Sequence, residues 1–174
     1  MESRVTDGPG LGRYTPPADS AAPDPVVAVH LRDVPVRIWK RSAEHHDELM
    51  REMALLALAD ETSQALPARL VELIDVLGRR YGGASERPEA ERDDAIAAGV
   101  DRIDLTTEVP ASAGGAAAVL GALLLEVEEF CRDGDQLLTL AQPAVQAHFN
   151  AWYLEQFTTQ CAGGDPTPWT GPWD

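Results

Sequence analysis

The sequence predicts an all-α fold, a bundle of four main helices with one short peripheral helix and room for one short two-stranded ribbon. Three observations point there. Apolar residues from Asp33 to Ala59 recur at helical spacing, with a seam of Trp39, Ala43, His46, Met50, Met53 and Ala57. Only 6% of residues are aromatic while 44% are hydrophobic, so the core must rest on Leu, Val and Ala, which suit helices better than a β-sandwich. At 174 residues, the chain can bury one sizeable core as one domain.

Residues 1–25 hold Gly8, Pro9, Gly10, Gly12, Pro16, Pro17, Pro23 and Pro25 with almost no large apolar side chain, the composition of a disordered segment. A domain over 26–161 follows, and then a Pro- and Trp-containing tail, 162–174. Val26 to Leu31 is β-prone. For the long helix Asp33 suits the N-cap, and Pro35 suits the first turn, where its missing N–H costs nothing. Pro67 then opens a second helix to Tyr81, striped by Leu66, Leu70, Leu73 and Leu77, with Gly82 as the residue after its end. A thin-faced helix from Pro88 to Ala98, stopped by Gly99, is expected on the surface.

Between residues 101 and 110 the period changes. Ile103, Leu105, Thr107 and Val109 alternate with polar neighbours, the repeat of a half-buried extended segment that could pair with Val26–Leu31. The next helix, 111–132, has Leu120, Leu123, Val127 and Phe130 as its seam, and Gly114, Gly115 and Gly121 would let another helix approach closely. A last helical stretch spans 135–161, with Pro143 either kinking one helix or opening a new one. Its stripe is Val145, His148, Phe149, Trp152 and Phe157, and Gly163-Gly164 ends it.

A net charge of −15 argues against nucleic acid and anionic membranes as partners. The apolar runs fall short of the roughly 20 residues that a membrane span needs, and the first residues lack the apolar stretch of a signal peptide. A cytoplasmic location is therefore expected, with Cys131 and Cys161 reduced.

Candidate chemistry is sparse. Glu44-His45-His46-Asp47-Glu48 is the sharpest cluster, yet adjacent helical residues diverge by about 100°, so His45 and His46 do not chelate one metal well, and the HExxH spacing is absent. A phospho-accepting or ligand-binding histidine is one reading, and a seam-edge His46 beside a solvated His45 is the plainer one. The Gly pairs lack the GxxxxGK phosphate-loop pattern, and the acidic clusters read as solvated faces. No catalytic residue, metal or cofactor is assigned. Arg32, Arg37, Lys40 and Arg41 concentrate positive charge at the start of the long helix, either paired with the chain's own acids or forming a docking patch for an acidic partner. Trp169 and Trp173 either fold back over the bundle or anchor another protein.

The run LRDVPVRIWKRSAEHHDELMREMALLAL, followed by LPARLVELIDVLGRRYGG, ERPEAERDDAI, RIDLTTEVP and WYLEQF, resembles a group of actinobacterial helical proteins. Members are found alongside ATP-binding anti-sigma-type regulators, STAS-domain antagonists and PP2C-type phosphatases. The resemblance implies a role in a partner-switching pathway, with an anti-sigma-type ATP-binding regulator or a STAS-domain antagonist as partner. It carries no catalytic residue. Two functions are therefore weighed, a non-enzymatic regulatory protein acting through protein–protein interaction, and a histidine-based signalling domain using His45 or His46 for a phosphoryl group, metal or haem.

Overall fold

The computed structural model describes residues 23–59, 65–133 and 142–172. Its elements run β1 (Val26–Pro35), α1 (Val36–Ala59), α2 (Ala65–Tyr81), a 3-10 turn (Gly82–Ala84), α3 (Glu86–Ala97), β2 (Arg102–Pro110), α4 (Ser112–Asp133) and α5 (Ala144–Cys161). Most of the N-terminal segment expected to be disordered lies outside the described residues. Pro23 to Pro25 are described, and the Asp24 carboxylate accepts the Ser112 N–H at the start of α4 (3.2 Å).

An all-α bundle is not what forms. β1 and β2 pair antiparallel from Val26↔Pro110 to Pro35↔Arg102, and the inner face of this ribbon is core. Ile103, Leu105, Thr107 and Val109 point inward as their alternation predicts, opposite Val34, Leu31, Val29 and Val27. The strand is longer than its sequence signal because it contains a bulge. Between the pairs Leu31↔Leu105 and Val34↔Ile103, Arg32 and Asp33 oppose the single residue Asp104. Asp33 sits at φ 55°, a left-handed conformation that Asp tolerates better than most, and its N–H is held by the Asp104 carboxylate at 2.8 Å. The extra residue resets the in–out alternation, so Asp33 is exposed and Val34 is buried. Asp33 therefore belongs to the strand rather than capping α1, and Pro35 passes into Val36 with no loop between.

Alone, such a ribbon would be marginal in water. Here α5 and the tail complete the outer edge of β1. Gln160 accepts the His30 N–H (2.8 Å) and donates to the His30 carbonyl (2.9 Å). One turn earlier, Gln156 accepts the Thr167 N–H (3.0 Å) and donates to the Thr167 hydroxyl (2.8 Å). The tail then runs beside β1, where Trp169 N–H donates to the Arg32 carbonyl (3.0 Å). The reversal that brings it there needs Gly163, at φ 86°. Its N–H meets the Gln160 carbonyl and that of Gly164 meets the Thr159 carbonyl, closing the helix end.

Two apolar clusters result. One is aromatic and contains the ribbon: Val29, Leu31, Val34, Ile38, Trp39, Leu105, Phe149, Trp152 and Trp169. The other is aliphatic and wholly helical: Leu49, Met53, Leu70, Leu73, Leu123 and Val127. α1 runs through both. Its buried line is Ile38, Trp39, Ser42, Leu49 and Met53, turned slightly from the expected seam, so Ala43, His46 and Met50 are only half-buried. Leu120 is likewise half-buried, while Leu73, Leu123, Phe149 and Trp152 are buried as expected. α3 is less peripheral than its thin apolar face implies. It buries Pro88 and Ala95, and its Arg92 guanidinium lies 5.1 Å from the Trp39 ring. The expected 135–161 helix also changes, since Pro143 precedes α5 and residues 134–141 lie outside the described residues.

Small residues do bring α4 and α5 together. A Cβ placed on Gly114 would stand 2.6 Å from Cys161 Cβ, whereas one on Gly115 would meet nothing within 4 Å. Gly114→Val should therefore destabilise the protein by about 1–3 kcal/mol, while Gly115→Ala should stabilise it by up to about 1 kcal/mol, as read by thermal and urea unfolding. Gln160→Leu should cost about 1–3 kcal/mol for each His30 backbone group left without a partner, as read by urea unfolding, and amide exchange should accelerate at His30 before the rest of β1.

Candidate functional site

His45 and His46 leave α1 in different directions, into different recesses. His45 borders a groove of about 370 Å³ between α4 and α5, with Ala118, Ala122, Leu125, Ala151 and Leu154 among its lining. Leu125 is 63% exposed there, and Glu128 and Glu155 line the same groove. His46 borders a second, open recess of about 370 Å³, lined from α1, α2, the 3-10 turn, β2, α4 and α5, with Leu77, Val109, Leu120 and Phe157 in its wall. The two rings therefore do not converge on one ligand. Among the described residues, no group of three His, Cys, Asp or Glu side chains is placed to hold a metal ion.

Burial dominates the electrostatics of the second recess. Loss of water pushes the His46 pKa below its ordinary value, outweighing the raising effect of Asp47, with His45 lowering it further. A neutral ring with one donor and one acceptor nitrogen follows at neutral pH. No hydrogen bond joins it to a described residue. Tyr153, on the same wall, has its pKa pushed up to about 12 by burial, with Glu89 adding to the rise, so its phenol keeps its proton. The other hydroxyls are committed: Thr107 donates to the Ala84 carbonyl (2.9 Å), Ser85 to the Gly82 carbonyl (2.8 Å), and Tyr81 shares a hydrogen bond with Ser112 (2.9 Å).

The basic residues expected together at the start of the long helix divide: Arg32 lies in the β1 bulge, and Arg37, Lys40 and Arg41 stand at the start of α1. Arg37 pairs with Asp101 at 2.9 Å and Lys40 approaches Glu44 at 4.0 Å, both pairs exposed and so contributing little to stability. Asp93 lies close enough to Lys40 for its carboxyl to be held below the usual range by the Arg92 hydrogen bond first and by Lys40 as well. Arg32 and Arg41 are exposed and form no ion pair with a described residue. Trp169 is folded back, 3% exposed, between His148, Phe149 and Trp152, and Trp152 Nε1 donates to the Thr167 carbonyl at 3.1 Å. It cannot reach a partner without leaving the core. Trp173 lies outside the described residues. His148, expected within the apolar stripe, is exposed with its ring 4.8 Å from that of Trp169. Burial raises the Cys161 thiol pKa against the lowering effect of its Gly114 hydrogen bond, which suits a resting thiol rather than a nucleophile.

Comparison with protein-family models, with curated proteins and with solved structures gave no match. No described helix is long and apolar enough to cross a membrane. The residues that sequence reasoning passed over are Gln156, Gln160 and Tyr153. A signal for the first two was present: they continue the Phe149, Trp152 stripe at helical spacing, so polar groups were bound to face the core.

His46 also sets a pH dependence. Its folded pKa lies below the ordinary histidine value of 6.5, so below that pH the unfolded chain takes up more protons than the folded one. Stability should thus be flat with respect to His46 above about pH 7 and fall as pH drops from about 6.5 toward the folded pKa. Urea midpoints measured from about pH 8 to about pH 5.5 should show this decline, and His46→Gln should flatten it, since carboxylates titrate mainly at lower pH.

Proposed function

We propose that this chain is a non-enzymatic regulatory protein that acts by binding another protein, and that the partner lays an amphipathic helix with a basic flank into the groove between α4 and α5. The observation that carries the proposal is Leu125, largely exposed within an apolar groove whose walls include the small side chains of Ala118, Ala122 and Ala151 beside Leu154. Small residues leave depth for anchors spaced one helical turn apart. Glu128 and Glu155 line the groove, and the net charge of −15 favours a partner flank rich in Lys or Arg. The sequence resemblance supplies the partner class, an anti-sigma-type ATP-binding regulator or a STAS-domain antagonist in a cytoplasmic partner-switching pathway. Any nucleotide chemistry then belongs to the partner.

Arg32 and Arg41 favour a second surface, since both are exposed and unpaired among the described residues. An acidic partner docked there would also engage Arg37 and Lys40, whose exposed pairs are easily exchanged. The histidine-signalling alternative has less support, because His45 and His46 border separate recesses.

Parallel captures from cell extract with the wild type, Leu125→Glu and the triple variant Arg37→Glu, Lys40→Glu, Arg41→Glu distinguish these surfaces. The expected result is a partner retained by the wild type at high salt and by the triple variant, but lost with Leu125→Glu, whose melting temperature stays near the wild-type value because the site is exposed. Loss confined to the triple variant, with steep salt dependence, moves the interface to the start of α1. Retention by both variants refutes both surfaces.

A further inference from the structure

The recess beside His46 lies where the aromatic and aliphatic cores meet, and its volume of about 370 Å³ falls within the range of small-molecule sites, roughly 300–1,000 Å³. Three features distinguish it from a packing fault. Its wall is apolar and includes no Asp, Glu, Lys or Arg. The hydroxyls of Thr107, Ser85 and Tyr81 are tied to protein partners, which leaves the His46 ring and the Tyr153 phenol as the polar side chains with hydrogen bonds to offer. Gly78 and Gly82 border the recess, and neither has an atom within 4 Å of the place a Cβ would take. Gly78 lies inside α2, where glycine weakens a helix, and no close neighbour demands it. A larger side chain at this rim would narrow the recess.

We propose that this recess binds a small, uncharged, largely apolar molecule that sets one hydrogen-bonding group against the His46 ring. Uncharged follows from the wall: an anion would enter a site without Lys or Arg in a chain of net charge −15, and a cation would lose its water with no carboxylate to replace it. Apolar follows from Leu77, Val109, Leu120 and Phe157, whose contact with a ligand removes hydrocarbon surface from water. The hydrogen-bonding group follows from His46, whose ring nitrogens are unclaimed by a described residue. The site is separate from the α4–α5 groove, with Ala117 and Leu154 bordering both, so it stands whether or not a protein docks there.

A suitable probe is N-phenyl-1-naphthylamine, an uncharged aromatic amine with one N–H that brightens on leaving water. Titrated into the full chain, it should show saturable enhancement at one site per chain. Gly78→Phe should abolish that signal while the far-UV spectrum and melting temperature are kept, and Gly82→Leu does the same service if the phenylalanine variant does not fold. His46→Leu should weaken binding about 2- to 10-fold, the loss of one hydrogen bond. Leu125→Glu should leave it unchanged. The proposal is overturned if the wild type gives no saturable signal, if a folded Gly78→Phe or Gly82→Leu variant binds as tightly as the wild type, or if Leu125→Glu alone removes binding.

Discussion

Everything in this fold depends on the outer edge of β1 being satisfied. A two-stranded ribbon has two edges, and each row of unpaired backbone groups is costly when buried and an aggregation template when exposed. Gln160 removes the difficulty at His30 by supplying both a donor and an acceptor from one planar amide, which mimics a passing strand. Gln156 repeats the device one turn away and fastens the tail at Thr167, which lets Trp169 hydrogen-bond to Arg32 and drop its ring into the core. A helix is thus joined to a strand edge by side chains, and the aromatic cluster is sealed by the segment so held.

The division into two cores explains why α1 is the organising element. Near its start it packs Ile38 and Trp39 with the ribbon, and further along it packs Leu49 and Met53 with α2 and α4. The recess beside His46 lies at the change from one packing partner to the other. Aromatic side chains on one side and aliphatic ones on the other do not close the space between them, and Gly78 and Gly82 leave its rim unfilled.

Much of this was legible in the sequence where a single period governs. The alternation over Ile103–Val109 specified β2 and its inner face, and the Leu66–Leu77 stripe specified α2. Failure came where two periods meet. The bulge at Arg32–Asp33 breaks alternation, and Asp33 followed by Pro35 imitates a helix start, so the sequence reads as helix from Asp33, where β1 in fact continues to Pro35. A small rotation of α1, invisible to periodicity, exchanged Ala43 and Met50 for Ser42 and Leu49 in the core. For the candidate sites, the sequence marked His45 and His46 but not their divergence, and it could not place Trp169, because a tail's destination is set by a partner 137 positions away, Arg32.

The hydrogen bonds between His30 and Gln160 join residues 130 positions apart. During synthesis, β1 leaves the ribosome with its inner face apolar and both edges vacant, and it can pair with β2 only about 80 residues later, given its partner Thr106 for His30. The helical core of α1, α2 and α4 is complete before α5 exists. The ribbon's outer edge waits longest, so the slow closure of this distant contact, rather than helix formation, sets the interval during which the nascent chain is open to mispairing.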